Sequence, residues 1–499
     1  MVARGIQIRL KGGQMAQDTS DKLSLKTKIG YGMGDFYGGG SIVIIGFYYL
    51  YFLTDVVRVN AALAGWIFLV SKAWDAVSDP LMGMISDRTK SRWGRRRPYF
   101  LFGIPLIFIS FVMIWYPVDF ANEMYRFAYM IFSYIFFYTI ITMVMIPYGA
   151  LASELTLDYN ERASLQSIRI FFSTVSSIIC AVVPMEIVKL FPDVKTGYVV
   201  MATVIGLLFA LPFVATFFST RERKDFKPVI EPISIKLFVE PFRMRSFLYV
   251  QGMYLFAFVA MDALMTIVIY FMTYYLGHGN QTNYVLGTML LLQVLSIPGY
   301  YWFCKVRSKK ASYTVGAVIW IVSMFISLFI KPGMSIVYTY IFGALVGIGT
   351  GGVVVMIYAI FPDIPDIDEL NSGERREGLY AGLFTFMRKL SSAFAVWLIS
   401  NAIYFAGYKA PDKQIVDGVT QMVQQVQSPT FILTLRLIFV LVPVVFLLVC
   451  LWCAARYPLS PAVHGRLKDY LNKRRGGADM QDPEMAREER ELKQILIKG

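Results

Sequence analysis

The sequence predicts an all-α membrane protein: twelve transmembrane helices in two six-helix bundles, with both termini cytoplasmic. Three observations predict it. Of the 499 residues, 56% are apolar and only 16% charged, and the mean hydropathy is +0.54; soluble proteins are roughly half apolar and a quarter charged. Apolar runs of about 20 residues, the length that crosses a hydrocarbon core, recur along the chain. Of the Lys and Arg residues outside those runs, 36 fall on the side that carries both termini and 7 on the other, the bias that keeps positive loops in the cytoplasm. A soluble enzyme is excluded. The net charge of +14 then reflects topology, and a nucleic-acid partner is rejected.

Taken in order, residues 1–28 are polar and basic and lack the apolar core and cleavage site of a secretory signal, so they read as a cytoplasmic segment. The first bundle, 29–219, holds spans near 30–53, 62–85, 98–117, 127–150, 166–188 and 198–219. A central cytoplasmic loop, 220–246, carries Arg221, Arg223, Lys224 and three prolines. The second bundle, 247–456, holds spans near 247–275, 284–304, 312–330, 335–360, 379–406 and 430–455. The tail, 457–499, is highly charged with apolar residues interspersed, and reads as a surface helix or a frayed end. The implied setting is the cell (inner) membrane, crossed many times by a monomer whose macromolecular partner is the lipid bilayer. Cys180, Cys304, Cys450 and Cys453 lie in or beside apolar spans and read as small buried hydrophobes rather than a redox or metal pair. No metal is expected beyond a coupling cation, and no cofactor.

Charges at bilayer depth are the informative residues, because each costs about 2.5–3.5 kcal/mol on insertion scales and is kept for a reason. Within the spans these are Asp35, Lys72, Asp75, Asp79, Arg169, Asp262, Arg388, Lys389 and Arg436. Asp75 and Asp79 are four residues apart, one turn above the other on a helix face. Two such carboxylates repel unless a cation or proton lies between them, and hard cations want several oxygen ligands; the pair is a candidate Na⁺ or H⁺ site. Pro80 beside it is expected to break the turn and free a carbonyl. Arg388 and Lys389 are adjacent, so they point about 100° apart and cannot both face one cavity. Lys389, with Thr385 on its face, is expected to balance the carboxylate pair when the cation leaves; the alternative is that either residue snorkels to the inner surface, Arg388 more readily than Lys389. Asp262 has no partner identifiable from sequence. Arg169, near the cytoplasmic end of span 5, reads as a gate, a substrate contact or a plain interfacial anchor.

Two inner loops carry clustered charge. After span 2 come Asp87, Arg88 and then Arg95, Arg96 and Arg97; after span 10 come Asp363, Asp366, Arg375 and Arg376. An acid at a helix end followed by a basic turn docks onto neighbouring helix ends. The two clusters are therefore expected to form ion pairs between the bundles that open and close as a gate.

At these residues the sequence resembles the glycoside-pentoside-hexuronide:cation symporter family, a branch of the major facilitator superfamily. The resemblance rests on Lys28-Ile29-Gly30-Tyr31-Gly32-Met33-Gly34-Asp35, Tyr51-Phe52-Leu53-Thr54-Asp55-Val56, Ala73-Trp74-Asp75-Ala76-Val77-Ser78-Asp79-Pro80, Ser91-Arg92-Trp93-Gly94, Ile146-Pro147-Tyr148 and Arg375-Arg376-Glu377-Gly378. It implies the major facilitator fold. It also implies that Asp75 and Asp79 are cation-site carboxylates, Thr385 and Lys389 their span-11 neighbours, and Asp363 and Asp366 gate acids. The sugar site departs from the melibiose-transporting pattern: Gly39 stands where that pattern has an Asp in span 1, and Met145 and Gly149 where it has an Asp and a Trp in span 4. Asp35, one turn before Gly39, then becomes a candidate substrate contact with Tyr148, Arg169, Asp262 and Lys389, and room is left for a uronide or other anionic glycoside.

The expected function is cation-coupled (Na⁺ or H⁺) symport of a glycoside, oligosaccharide or uronide by alternating access. The alternative within the superfamily is a lysolipid or other amphiphile transporter. A remote reading from another class is an intramembrane aspartyl protease, since Gly32-Met33-Gly34-Asp35 reads as G-x-G-D; such an enzyme pairs that Asp with a second one on a preceding helix, and Asp35 lies in the first span.

Overall fold

The computed structural model describes residues 22–156, 158–222, 239–416, 419–476 and 482–497. Parts of the predicted N-terminal segment, central loop and tail lie outside these residues. The chain opens with α1 (Leu25–Met33) and α2 (Asp35–Ile44), which continue through π-turns at Ile45–Tyr49 and Phe52–Val56. Then follow α3 (Ala61–Arg88), α4 (Arg97–Ile114), α5 (Glu123–Leu155), α6 (Tyr159–Lys189), α7 (Val194–Ala210) and α8 (Pro212–Ser219). Side-chain caps fix the helix starts: Asn60, Asn122, Asp158 and Asp193 accept the orphan N–H groups of α3, α5, α6 and α7, the groups that hydrocarbon would leave unsatisfied. The second set is α9 (Arg245–Tyr270) with a π-turn at Phe271–Tyr275, α10 (Thr282–Val306), α11 (Lys309–Ile326), α12 (Ile336–Ile360), α13 (Asp363–Ser372), α14 (Glu377–Phe405) and α15 (Pro429–Arg456).

Among the described residues, ten helical stretches are long and apolar enough to cross a membrane. Of the predicted spans, those outside that set are the first, in Leu25–Val56, interrupted by π-turns, and the second, α3, which carries Lys72, Asp75 and Asp79. Pro80 does not end α3: the helix runs through it to Arg88, because neighbouring turns and packed helices carry a proline inside a membrane helix. The all-α expectation needs one amendment. Between α14 and α15 an antiparallel hairpin pairs β1 (Asp412–Val416) with β2 (Val419–Val423), Asp412 opposite Val423.

Contacts sort into two bundles. In the first, α2 packs on α6, α3 on α5, α4 on α5 and α7; in the second, α10 and α11 pack on α12, and α9 on α14 and α15. The bundles meet mainly along α3 with α14 and α6 with α10. Small residues make the closest approaches: a Cβ at Gly39 would stand 2.3 Å from Ser173 Oγ, so α2 and α6 touch backbone to backbone there, as membrane helices do without a hydrophobic drive between them.

The tail is more ordered than a frayed end. Helices α16 (Pro461–Arg475) and α17 (Pro483–Leu496) lie against α13 and each other, with Leu467, Tyr470, Leu471, Met485, Leu492 and Leu496 buried. Arg466 forks onto Glu488 at 2.8 Å, and Ser246 Oγ donates to the Leu496 carbonyl at 2.6 Å. The apolar residues interspersed in the charged sequence are the buried stripe of two amphipathic helices.

Candidate cation and substrate site

Helix α3 presents Asp75 and Asp79 one turn apart toward α5 and α14. The Lys389 ammonium lies between them, 2.8 Å from Asp75 Oδ2 and in contact with Asp79 Oδ2. From α5, the Thr142 hydroxyl sits 3.0 Å from Asp75 Oδ1 and 3.0 Å from Asp79 Oδ1, with Ser78 Oγ at 3.3 Å. A threonine has one proton to donate, so Thr142 shares it between the two acids. Three helices therefore converge oxygens and one ammonium on a single point, and Asp75 is 2% exposed. An ammonium there is chemically a stand-in for a bound cation.

Thr142 was not foreseen, although a hydroxyl in the apolar run Ile140-Ile141-Thr142-Met143 was a readable signal. Thr385 is exposed and its hydroxyl donates to the Ala381 carbonyl of its own helix at 2.9 Å rather than to either carboxylate.

Arg388 does not reach the surface. It forks onto Asp262 of α9, Nη2 to Oδ1 at 2.9 Å, and lies 4.3 Å over the Phe258 ring. The divergence between residues 388 and 389 lets α14 serve two neighbours, Lys389 toward α3 and Arg388 toward α9, and it gives Asp262 the partner that sequence could not name. Lys72, on the α3 face of Asp75, places its ammonium 4.3 Å from the Tyr138 ring centroid. In the first bundle Arg169 Nη2 meets Asp35 Oδ1 at 3.2 Å and stacks 5.3 Å over Tyr148. Tyr148 is fully buried, stacked 4.6 Å from Tyr31 and donating to the Tyr31 carbonyl at 2.7 Å. Asp35 thus has an arginine beside it, not the second carboxylate that an aspartyl protease requires.

Of the residues expected at a gate, Asp87, Arg95, Asp363, Asp366, Arg375 and Arg376 form ion pairs within each bundle rather than between them. Asp87 meets Arg96, whose Nε reaches Glu154 at 3.1 Å, and Arg95 reaches Glu154 at 3.2 Å. Glu222 receives the backbone N–H groups of Arg95, Arg96 and Arg97 at 2.6, 2.7 and 3.1 Å, an anion at the start of α4. Arg88 is exposed at the end of α3. In the second bundle Lys309 holds Asp363 at 2.7 Å, Arg375 reaches Asp366 at 3.5 Å, and Arg376 forks onto Asp368 and binds Glu240 at 2.8 Å. The correction is physical: each of these acids meets a basic residue of its own bundle. Tail residues join in, His464 lying 3.7 Å from Asp363 and Arg475 Nε 2.9 Å from Glu369. Partial burial of His464 pulls its imidazole below the ordinary value of 6.5, against the pull of Asp363.

Bonds between bundles gather instead at the end of the molecule opposite the tail. Asp55, 4% exposed, accepts from Thr54 at 2.5 Å and from Tyr274; Tyr274 meets Tyr408 at 2.9 Å, and Thr54 meets Tyr270 at 2.6 Å. Arg58 holds Asp412 at 2.7 Å, and Lys189 reaches Asn283 at 3.3 Å. Just outside this seal lies a cavity of about 820 Å³ lined in part by Tyr51, Asp55 and Lys189.

Comparisons with known proteins agree with this architecture. A family model described as MFS/sugar transport protein matches residues 30–461. The putative glycoside/cation symporter YagG of Escherichia coli is 28% identical, over 85% of this chain and 90% of its own length. Sodium-dependent lysophosphatidylcholine symporter 1 of Gallus gallus is 25% identical, over 89% of this chain and 88% of its own. Among solved structures, a bacterial homologue of the human lysosomal transporter Spinster, inward-facing and unoccupied, superposes with a TM-score of 0.60 at 11% identity, over 88% of this chain and 98% of that one; this similarity speaks for the fold alone. With the family match spanning most of the chain and two bundles of apolar helices enclosing the charged cluster, the chain belongs to the MFS/sugar transport protein family.

Proposed function

We propose that the chain is a cation-coupled symporter of a glycoside that works by alternating access in the cell's inner membrane. All twelve predicted spans cross the bilayer, the two bundles are 29–219 and 247–456, and both termini are cytoplasmic. The observation that carries this reading is the Lys389 ammonium between Asp75 and Asp79. A coupling cation, Na⁺ or H⁺, displaces the ammonium from the carboxylates, and Thr142 supplies a further oxygen. Displacement frees α14 from α3 where, among the described residues, the Lys389 ion pairs tie the two bundles together. Cation and substrate then favour one orientation by binding it more tightly than the other, which is the only way a ligand shifts such an equilibrium. The bonded Asp55 end and the intra-bundle pairs at the tail end correspond to a state closed outside and open inside.

The test is uptake by reconstituted vesicles under an imposed Na⁺ or pH gradient, with Asp75→Asn and Asp79→Asn alongside. Accumulation of a glycoside driven by one gradient and lost in both variants is expected; undiminished accumulation in either variant refutes the cation site. A second reading, transport of a lysolipid, draws on the similarity to the Gallus gallus symporter. Lysolipid transfer without glycoside uptake selects it.

A further inference from the structure

The cavity outside the Asp55 seal is a compartment apart from the acid pair. None of Asp75, Asp79, Arg388 and Lys389 lines it, whereas Asp55, which does, is bonded across the bundles to Tyr274. Its volume of about 820 Å³ falls within the range of about 300–1,000 Å³ that small-molecule sites occupy. Both bundles supply its walls: Tyr51, Lys189 and Val194 from the first, Thr273, Asn280 and Asn283 from the second. The charges on these walls are spent on protein partners. Lys189 holds Glu186 at 2.7 Å, Lys195 holds Asp119 at 2.7 Å, and Asp193 accepts the N–H groups of Lys195 and Thr196 at the start of α7. A charged ligand therefore gains no spare counter-charge there. Uncharged groups remain on offer: Tyr51 is half-buried and Asn280 exposed, an aromatic ring beside an amide that both donates and accepts. Thr282, on the wall and 2% exposed, has a hydroxyl with no hydrogen-bond partner among the described residues, a costly state that a ligand hydroxyl would relieve.

We propose that this cavity is an external binding site for a neutral glycoside, separate from the central site, and that ligand held in it favours the outward-closed state. A neutral glycoside matches the walls: its hydroxyls donate and accept, its C–H face lies flat against a ring, and it needs no counter-charge. Because the two walls belong to different bundles, the ligand is gripped from both sides only while that end is closed. It shifts the equilibrium toward closure by as much as its affinities for the two states differ. External glycoside in excess then slows reopening, so a transported molecule also acts as a brake. The inference rests on the symport reading for the side that faces outward and for the ligand class.

Calorimetric titration tests this on the full chain in lipid nanodiscs, where no glycoside detergent competes. The probes are methyl β-glucoside, methyl β-galactoside and methyl β-xyloside, each with and without Na⁺ and at neutral and acid pH. The wall variants are Val194→Trp, which fills the cavity from an exposed position, and Asn280→Ala, which removes the amide but keeps the carbonyl that accepts from Lys189. The expected result is a site indifferent to cation that persists in the chain carrying Asp75→Asn and Asp79→Asn. Its affinity falls about tenfold or more in each wall variant, and Asn280→Ala alone decides if Val194→Trp fails to fold. A single site of this kind, without a cation-dependent one, supports the external site and removes glycoside from the central one. A single cation-dependent site untouched by the wall variants overturns the external site and leaves symport standing. No binding of any probe overturns the proposal. Arg58→Cys and Asp412→Cys, which replace an ion pair between the bundles, can be joined by a short bis-maleimide in a chain carrying Cys304→Ser to hold that end closed. The external site should then keep or tighten its affinity; loss of binding overturns its link to closure.

Discussion

Tyr274→Phe removes one hydroxyl from the seal at the Asp55 end and nothing from the central site. That hydroxyl donates to Asp55 and meets Tyr408 at 2.9 Å, and Asp55, only 4% exposed, keeps the hydroxyls of Thr54 and Tyr408 as its remaining side-chain donors. A hydrogen bond to an ionised group contributes about 1.5–3 kcal/mol, and each 1.4 kcal/mol is about tenfold in an equilibrium. The closed population at that end is therefore expected to fall about ten- to hundredfold relative to the open one. The assay is a pulsed electron-spin distance measurement between labels at Tyr125→Cys and Val337→Cys, exposed positions near the starts of α5 and α12, in a chain carrying Cys304→Ser. Wild type should give a short distance and Tyr274→Phe should add a longer one. An unchanged distribution in Tyr274→Phe would refute the claim that these bonds hold the bundles together.

Two further outcomes follow from other contacts. Asp262→Asn strands the Arg388 guanidinium, whose side chain is 24% exposed; breaking a buried pair costs about 3–5 kcal/mol, and partial exposure places this one near the low end. The double variant Asp262→Leu with Arg388→Met should melt above the single one in detergent, and the reverse order would show the pair to be unimportant to stability. At the tail, folded His464 titrates below 6.5, so the undocked state binds more protons as pH falls through 6.5. Docking of α16 is then fully stable above that value and weakens below it. Hydrogen exchange in α13 and α16 should quicken on acidification past 6.5, and this rise should vanish in His464→Gln.

Asp75 and Asp79 were legible because a four-residue spacing fixes their common face in any helix, and Lys389 because a lone ammonium at that depth needs a carboxylate. Thr142 was not, since a helical threonine commonly spends its hydroxyl on its own backbone, as Thr385 does here. The Asp262 partner was not legible because adjacency shows that Arg388 and Lys389 diverge without showing which helix each one addresses. Gate partners were misjudged between bundles because sequence gives charge but no distance: Arg96 reaches Asp87 and Glu154 from the basic turn of its own bundle. The helical character of the chain was readable from apolar runs, and ten of the described helices are long and apolar enough to cross a membrane; the hairpin at 412–423 escaped because five-residue strands leave little trace beside spans of twenty.

The bond from Ser246 to the Leu496 carbonyl, with the Arg245 N–H donating to the Ile497 carbonyl at 3.3 Å, joins the first turn of α9 to the end of α17. During synthesis α9 is made some 250 residues before its bonding partner, so this contact cannot close until α17 has been made. The clasp therefore forms late, and a reporter domain fused just beyond residue 497 would lie close to the first turn of α9. Fusions there should be judged by transport rate as well as by yield, since a chain can be inserted, stable and still unclasped.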